Sequence, residues 1–92
     1  MEMTREELLK LIESKEVIGV NLTGQRLEKI DFTGCRIERT SFKGCELVHC
    51  RFRNAKISWS DFRYAEIQHG TFEGAEIEFS DFYRAFIDGV VI

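Results

Sequence analysis

The sequence predicts an all-β solenoid, a column of short flat sides built from a five-residue repeat, with a short helix capping its N-terminal end. Three observations predict it. Leu22, Leu27, Phe32, Ile37, Phe42, Leu47, Phe52, Ile57, Phe62, Ile67, Phe72, Ile77, Phe82, Ile87 and Ile92 follow one another at intervals of five without a break. Leu, Ile and Phe make up about a quarter of the chain, so a run of this length arises by chance on the order of once in a billion. Two residues before each centre, from Cys35 to Ala85, stands a small residue: Cys35, Thr40, Cys45, Cys50, Ala55, Ser60, Ala65, Gly70, Ala75, Ser80, Ala85. The neighbours of each centre, among them Asp31, Arg36, Lys43, Glu46, Arg53, Asp61, Glu66 and Glu78, are nearly all polar.

Neither regular element accepts this period alone. On a helix at about 100° per residue, five steps turn 500°, so successive centres drift by about 140° and no face stays apolar. On a flat strand with a two-residue period, five steps send successive centres to opposite faces. The pattern is satisfied when the chain bends at every repeat, so that the centre and the small residue two before it point inward together and the flanking residues point out.

The 92 residues leave room for one compact unit. An apolar fraction of 43% supplies a core, and a net charge of −3 argues against a dedicated nucleic-acid or anionic-membrane binder. Residues 1–19 form the expected N-terminal cap and lead-in, and 20–92 the repeat column. In the cap, Thr4 and Glu7 have capping-box spacing, and Leu8, Leu11 and Ile12 then share one face of a helix ending near Ser14 or Lys15. Val17 and Ile18 lead from it into the column. With neither an apolar leader nor a membrane span, the chain is expected to be soluble and cytoplasmic.

Units such as Thr40-Ser-Phe-Lys-Gly44, Ser60-Asp-Phe-Arg-Tyr64, Ala65-Glu-Ile-Gln-His69, Ala75-Glu-Ile-Glu-Phe79 and Ser80-Asp-Phe-Tyr-Arg84 resemble the pentapeptide-repeat family. The resemblance runs from Val20 to Ile92 and implies a right-handed quadrilateral β-helix with four repeats, 20 residues, per coil. On that basis Leu22, Phe42, Phe62 and Phe82 stack on one side and Phe32, Phe52, Phe72 and Ile92 on the opposite one. Columns of Leu27, Leu47, Ile67, Ile87 and of Ile37, Ile57, Ile77 lie between them. Val20, Gln25 and Ile30 are large for the small inward position, so the first coil is expected to be distorted or to double as part of the cap. Gln25 is a candidate to satisfy a backbone group there.

The other end has no comparable cap in its sequence. Phe86, Val90, Val91 and Ile92 are therefore the expected interface of a homodimer formed through the C-terminal coil, an arrangement the resemblance also implies. Charge is segregated along the axis: residues 1–19 carry −2, 20–63 carry +4 and 64–92 carry −5. The last span holds an acidic block of Glu66, Glu73, Glu76, Glu78, Asp81 and Asp88.

Candidate sites are few. Cys35, Cys45 and Cys50 all take inward positions and are expected to be reduced core residues. Parity argues against a metal site in Cys45-Glu-Leu-Val-His-Cys50, because the thiols face in and His49 faces out. No metal or cofactor is expected. His49 and His69 share an outward corner one coil apart. No nucleophile, base and acid converge on a pocket, so an enzyme is not expected. Asn21-Leu-Thr23 spells a glycosylation sequon, without a secretion signal to give it meaning.

Arg39, Trp59 and Phe79 share another outward corner, and exposed aromatics stacked there mark a candidate partner surface. The expected function is a non-catalytic protein-protein interaction module, a rigid scaffold whose partner the sequence does not name. The alternative, implied by the resemblance, is a DNA-mimicking dimer that binds DNA gyrase or topoisomerase IV through its acidic end. Nucleic-acid binding by the basic middle (Arg36, Arg39, Lys43, Arg51, Arg53, Lys56, Arg63) is disfavoured, because these residues spread over several faces among acids.

Overall fold

The computed structural model describes residues 2–92 and is a four-sided β-solenoid of about four coils with one helix at its foot. Helix α1 spans Arg5–Glu13. Eight three-residue strands follow: β1 (Glu16–Ile18), β2 (Arg26–Glu28), β3 (Arg36–Glu38), β4 (Glu46–Val48), β5 (Lys56–Ser58), β6 (Glu66–Gln68), β7 (Glu76–Glu78) and β8 (Phe86–Asp88). They stack as two parallel sheets on opposite sides of the column, β1-β3-β5-β7 and β2-β4-β6-β8. The register is a shift of one coil, so that Leu27 pairs with Leu47, Leu47 with Ile67 and Ile67 with Ile87.

The other two sides have no continuous strand. They are laddered by single bridges, Asn21–Ser41–Asp61–Asp81 and Asp31–Arg51–Thr71–Val91. Here the residue before the centre caps its own turn. Asn21, Asp31, Ser41, Asp61, Thr71 and Asp81 each accept a hydrogen bond from the backbone N–H two residues on. Short Asn, Asp, Ser and Thr side chains reach back to the local backbone in this way. The repeat is thus of two kinds, strand sides centred on Val, Leu or Ile and turn sides centred mostly on Phe.

Every corner from Gly19 to Gly89, one residue in five, has positive φ. No corner residue is branched at Cβ, in keeping with the steric cost of that region. Nine are not glycine, among them His49, Trp59, Tyr64, His69 and Phe79. Gly70 has a different reason: it takes the small inward position, where a Cβ would collide with the Cys50 carbonyl oxygen.

Inside, the Phe rings form two facing stacks. Phe32, Phe52 and Phe72 lie parallel at 4.7 Å between centroids, and Phe42, Phe62 and Phe82 at 4.6 Å. Rings from opposite stacks meet edge to face, as Phe32 and Phe42 do at 5.7 Å and 81°. Aromatic quadrupoles favour this pairing. Rungs about 4.8 Å apart are close to the spacing at which parallel rings touch, so one coil's Phe seats on the next.

The foot of the column is closed. The Thr4 side chain accepts from the Glu7 N–H while the Glu7 carboxylate accepts from the Thr4 N–H, completing the capping box. Leu8 is buried in the core, and Leu11 and Ile12 are partly buried against it. The first coil differs from the expected distortion. β1 already pairs with β3 in register, Val17 opposite Ile37, so the column begins ahead of Val20. Ile30 is fully buried and Val20 nearly so. With no coil beneath them, these larger side chains occupy depth that a neighbouring rung takes elsewhere. Gln25 does cap a backbone group, its amide donating to the Met3 carbonyl at 3.0 Å.

Candidate interaction surfaces

The outward corners carry the exposed aromatic groups. Trp59 and Phe79 stack at 4.7 Å with 14° between planes, and are 63% and 69% exposed. Both hold φ near +53°, where a non-glycine residue costs roughly 1 kcal/mol. Neither ring belongs to the core cluster that would offset that cost. Arg39, below them in the same column, reaches to Glu38 at 3.8 Å.

One side further round, Tyr64 and Tyr83 meet edge to face at 5.9 Å, and the Arg84 guanidinium lies over the Tyr83 ring at 5.4 Å. Both tyrosines are about half exposed. Sequence reasoning missed this pair, although the 20-residue register sets Tyr64 and Arg84 on one corner. Between the two aromatic corners lies the Asp61–Asp81 ladder. Arg63 clamps Asp61 there with Nη2 to Oδ2 at 2.8 Å, and hydrogen bonds from Arg63 hold that carboxyl below the usual carboxylate range.

The C-terminal end is bare. Phe86 and Val91 are exposed, Val90 is half-buried, and Ile92 is 91% exposed. Core-register residues are uncovered as well: Ile77 and Ile87 are exposed although Ile57 and Ile67, one coil below, are buried. Phe72, Ile77, Phe82, Ile87, Val90 and Ile92 line an apolar hollow of about 100 Å³. The acidic residues Glu66, Glu73, Glu76, Glu78, Asp81 and Asp88 are all exposed, but they are dealt onto all four sides rather than gathered on one.

The cysteine thiols turn into the column. Cys45 Sγ donates to the Leu22 carbonyl at 2.9 Å and Cys50 Sγ to the Leu27 carbonyl at 3.3 Å. Burial raises all three thiol pKa values, that of Cys45 to about 11, which makes them poor thiolates and poor ligands. His49 lies on the outside, stacked on His69 at 5.3 Å. The geometry therefore separates the residues of the Cys45–Cys50 segment instead of gathering them. Among the described residues, no helix is long and apolar enough to cross a membrane.

No curated protein sequence matches the chain. Among solved structures it is similar to HetL of the cyanobacterium Nostoc sp. strain PCC 7120, a pentapeptide repeat protein involved in heterocyst differentiation regulation. That likeness has a TM-score of 0.46 and 19% identity over 83% of this chain and 38% of HetL. The chain thus spans about two-fifths of HetL's length. It is also similar to Rfr23, a pentapeptide repeat protein of Cyanothece 51142, with a TM-score of 0.48 and 12% identity over 94% of this chain and 92% of that one. The family described as pentapeptide repeat region matches residues 16–87, which begin where β1 begins, and the chain belongs to that family.

Proposed function

We propose that the protein is a non-catalytic interaction module, a rigid column that presents the Trp59–Phe79 corner to a protein partner and pairs with a second copy through its last coil. The observation that carries the first part is the exposed ring stack. Two large aromatics occupy strained corner positions, outside the core, on a surface otherwise rich in charge. Aromatic anchors of this kind dominate binding energy where a partner covers them. Cross-linked capture compared between wild type and Trp59→Ala tests it: a companion lost only in the variant supports the role, and unchanged capture makes the corner architectural.

The pairing rests on the uncovered coil. Ile77, Phe82, Ile87, Val90 and Ile92 form a continuous apolar end, and a two-fold contact would cover both copies at once. Sedimentation at tens of micromolar tests this, a dimer being the expected species and a monomer the opposing result.

A second reading is favoured by the exposed acids of the last coils. In such a dimer the two sets of Glu73, Glu76, Glu78, Asp81 and Asp88 would flank one junction, and the pair would act as a duplex mimic toward DNA gyrase or topoisomerase IV. Gyrase supercoiling with and without the protein separates the two readings, since a partner module leaves it unchanged.

A further inference from the structure

Four arginines of the column are paired with neighbouring carboxylates. Arg26 pairs with Glu28 and Glu46 at 3.2 Å, Arg36 with Glu38 at 2.7 Å, Arg39 with Glu38 at 3.8 Å and Arg63 with Asp61 at 2.8 Å. Among the described residues, Lys29, Arg51 and Arg53 make no ion pair and are exposed. Lys43 and Lys56 make no ion pair either, but only the turn side laddered by Asp31, Arg51 and Thr71 gathers several such cations together.

These cations line connected hollows. Lys29, Ile30, Asp31, His49 and Arg51 surround a groove of about 490 Å³, and a neighbouring one of about 430 Å³ is shared by Asp31, Thr33, Arg51 and Arg53. At the foot, Lys15 is held in place by donating its ammonium to the Thr33 carbonyl at 3.1 Å. Two carboxylates face the same side. Asp31 is engaged by the hydroxyl and backbone N–H of Thr33, and those bonds, with the charges of Arg51 and Lys15, hold its carboxyl below the usual range. Glu73 stands one coil above Arg53 and is exposed. Four cations against two carboxylates leave this side at +2 on a chain whose net charge is −3.

We propose that this side is a binding site for a phosphoryl group, taken by the Arg51 guanidinium and the Lys29 ammonium, with His49 and Arg53 at its margins. A guanidinium offers paired donors that match two oxygens of one tetrahedral anion, and a second cation complements its second charge. A carboxylate also matches the guanidinium fork but, singly charged, leaves the second cation uncompensated. The inference stands apart from the Trp59 corner, which lies on another edge of the column.

The test is a titration of the full chain with inorganic pyrophosphate, with a short phosphoserine peptide and with the same peptide carrying glutamate, followed by ¹H–¹⁵N NMR and calorimetry. The expected result is a dissociation constant at or below about 1 mM for a phosphoryl probe, with the glutamate peptide weaker by about tenfold or more. Amide shifts should centre on 29–33 and 49–53. Pyrophosphate without the phosphopeptide assigns a free phosphate compound, and both together assign the monoester as well.

Arg51→Gln should weaken binding about tenfold and Arg51→Lys by less, because it keeps charge and loses the fork. Lys56→Gln, on a strand side, should leave it within about twofold. Thermal melts of the variants establish that each is folded, as exposed substitutions should leave it. Absence of binding by both phosphoryl probes overturns the proposal. So does an equal loss in Lys56→Gln and Arg51→Gln, which would mean diffuse attraction. Binding of a DNA duplex that strengthens with length while pyrophosphate is ignored would instead assign a nucleic-acid face.

Discussion

The two ends of this column are built from the same repeat and meet different fates. Leu27, Leu47, Ile67 and Ile87 occupy one column, and the first three are buried while the last is 48% exposed. Val17, Ile37, Ile57 and Ile77 repeat the pattern on the opposite side, the last again uncovered. At the foot, α1 lays Leu8 into the core and Gln25 occupies a backbone carbonyl. At the top nothing among the described residues lies over the last coil. Burial in a solenoid is therefore conferred by the rung above or below, and a residue's own coil cannot supply it.

The comparison can be broken most sharply in the Phe stack. Phe62 has Phe42 and Phe82 on either side, and Phe62→Ala should cost roughly 3–5 kcal/mol through a cavity that neighbouring rungs relax poorly. Phe82, half-buried with one face open, should lose only about 1–2 kcal/mol by the same change. Urea unfolding of both variants in solution too dilute for copies to pair measures the difference, and equal losses there would mean that the last coil is covered without a second copy.

Cap substitutions sharpen the other end. Leu8→Ala should destabilise by about 2–3 kcal/mol, while Leu9→Ala, on the exposed face, should stay within about 0.5 kcal/mol. Thr4→Ala removes the acceptor for the Glu7 N–H and should cost about 1 kcal/mol. If thermal melts show no change for Leu8→Ala, the helix does not seal the column.

The smallest expected effect is a pH dependence. Hydrogen bonds from Arg63 lower the folded pKa of Asp61, and those from Thr33 lower that of Asp31. A carboxyl lowered on folding adds stability above its unfolded value of about 3.9, and that contribution disappears as pH falls through the lower folded value. Stability should thus decline below about pH 4, and Asp61→Asn should flatten part of the decline. A profile that rose on acidification would contradict the arrangement.

Much of the fold was legible because a period of five defeats both regular elements, and because Thr4 and Glu7 announce a helix start in local chemistry alone. The stacking columns follow from the same spacing, as the Phe42–Phe62 and Trp59–Phe79 pairs show. What escaped lay at the register's margins. Val17 already keeps the five-residue spacing, yet it stands beside a helix signal and reads as a lead-in. Val20 and Ile30 violate the small-residue rule because they have no rung below them, a condition visible only once the end of the stack is placed. The capping role of Asn21, Asp31, Ser41, Asp61, Thr71 and Asp81 was hidden by reading every outward residue as merely polar. Of the interaction surfaces, Trp59 and Phe79 could be found by counting in twenties, whereas the Tyr64–Tyr83 contact joins different columns across an edge and has no such signature.

The account turns on a column sealed at its foot and open at its top, and residue-resolved amide hydrogen exchange, followed as protein concentration rises, reads both ends in one experiment. The expected result is that the amides of Leu22, Phe32 and Arg36, each bonded to a carbonyl of the neighbouring coil, exchange slowly at every concentration. Those of Phe86–Asp88 and Val91 should exchange quickly in dilute solution and gain protection as copies pair. Protection as strong in the last coil as in the first, independent of concentration, would contradict it.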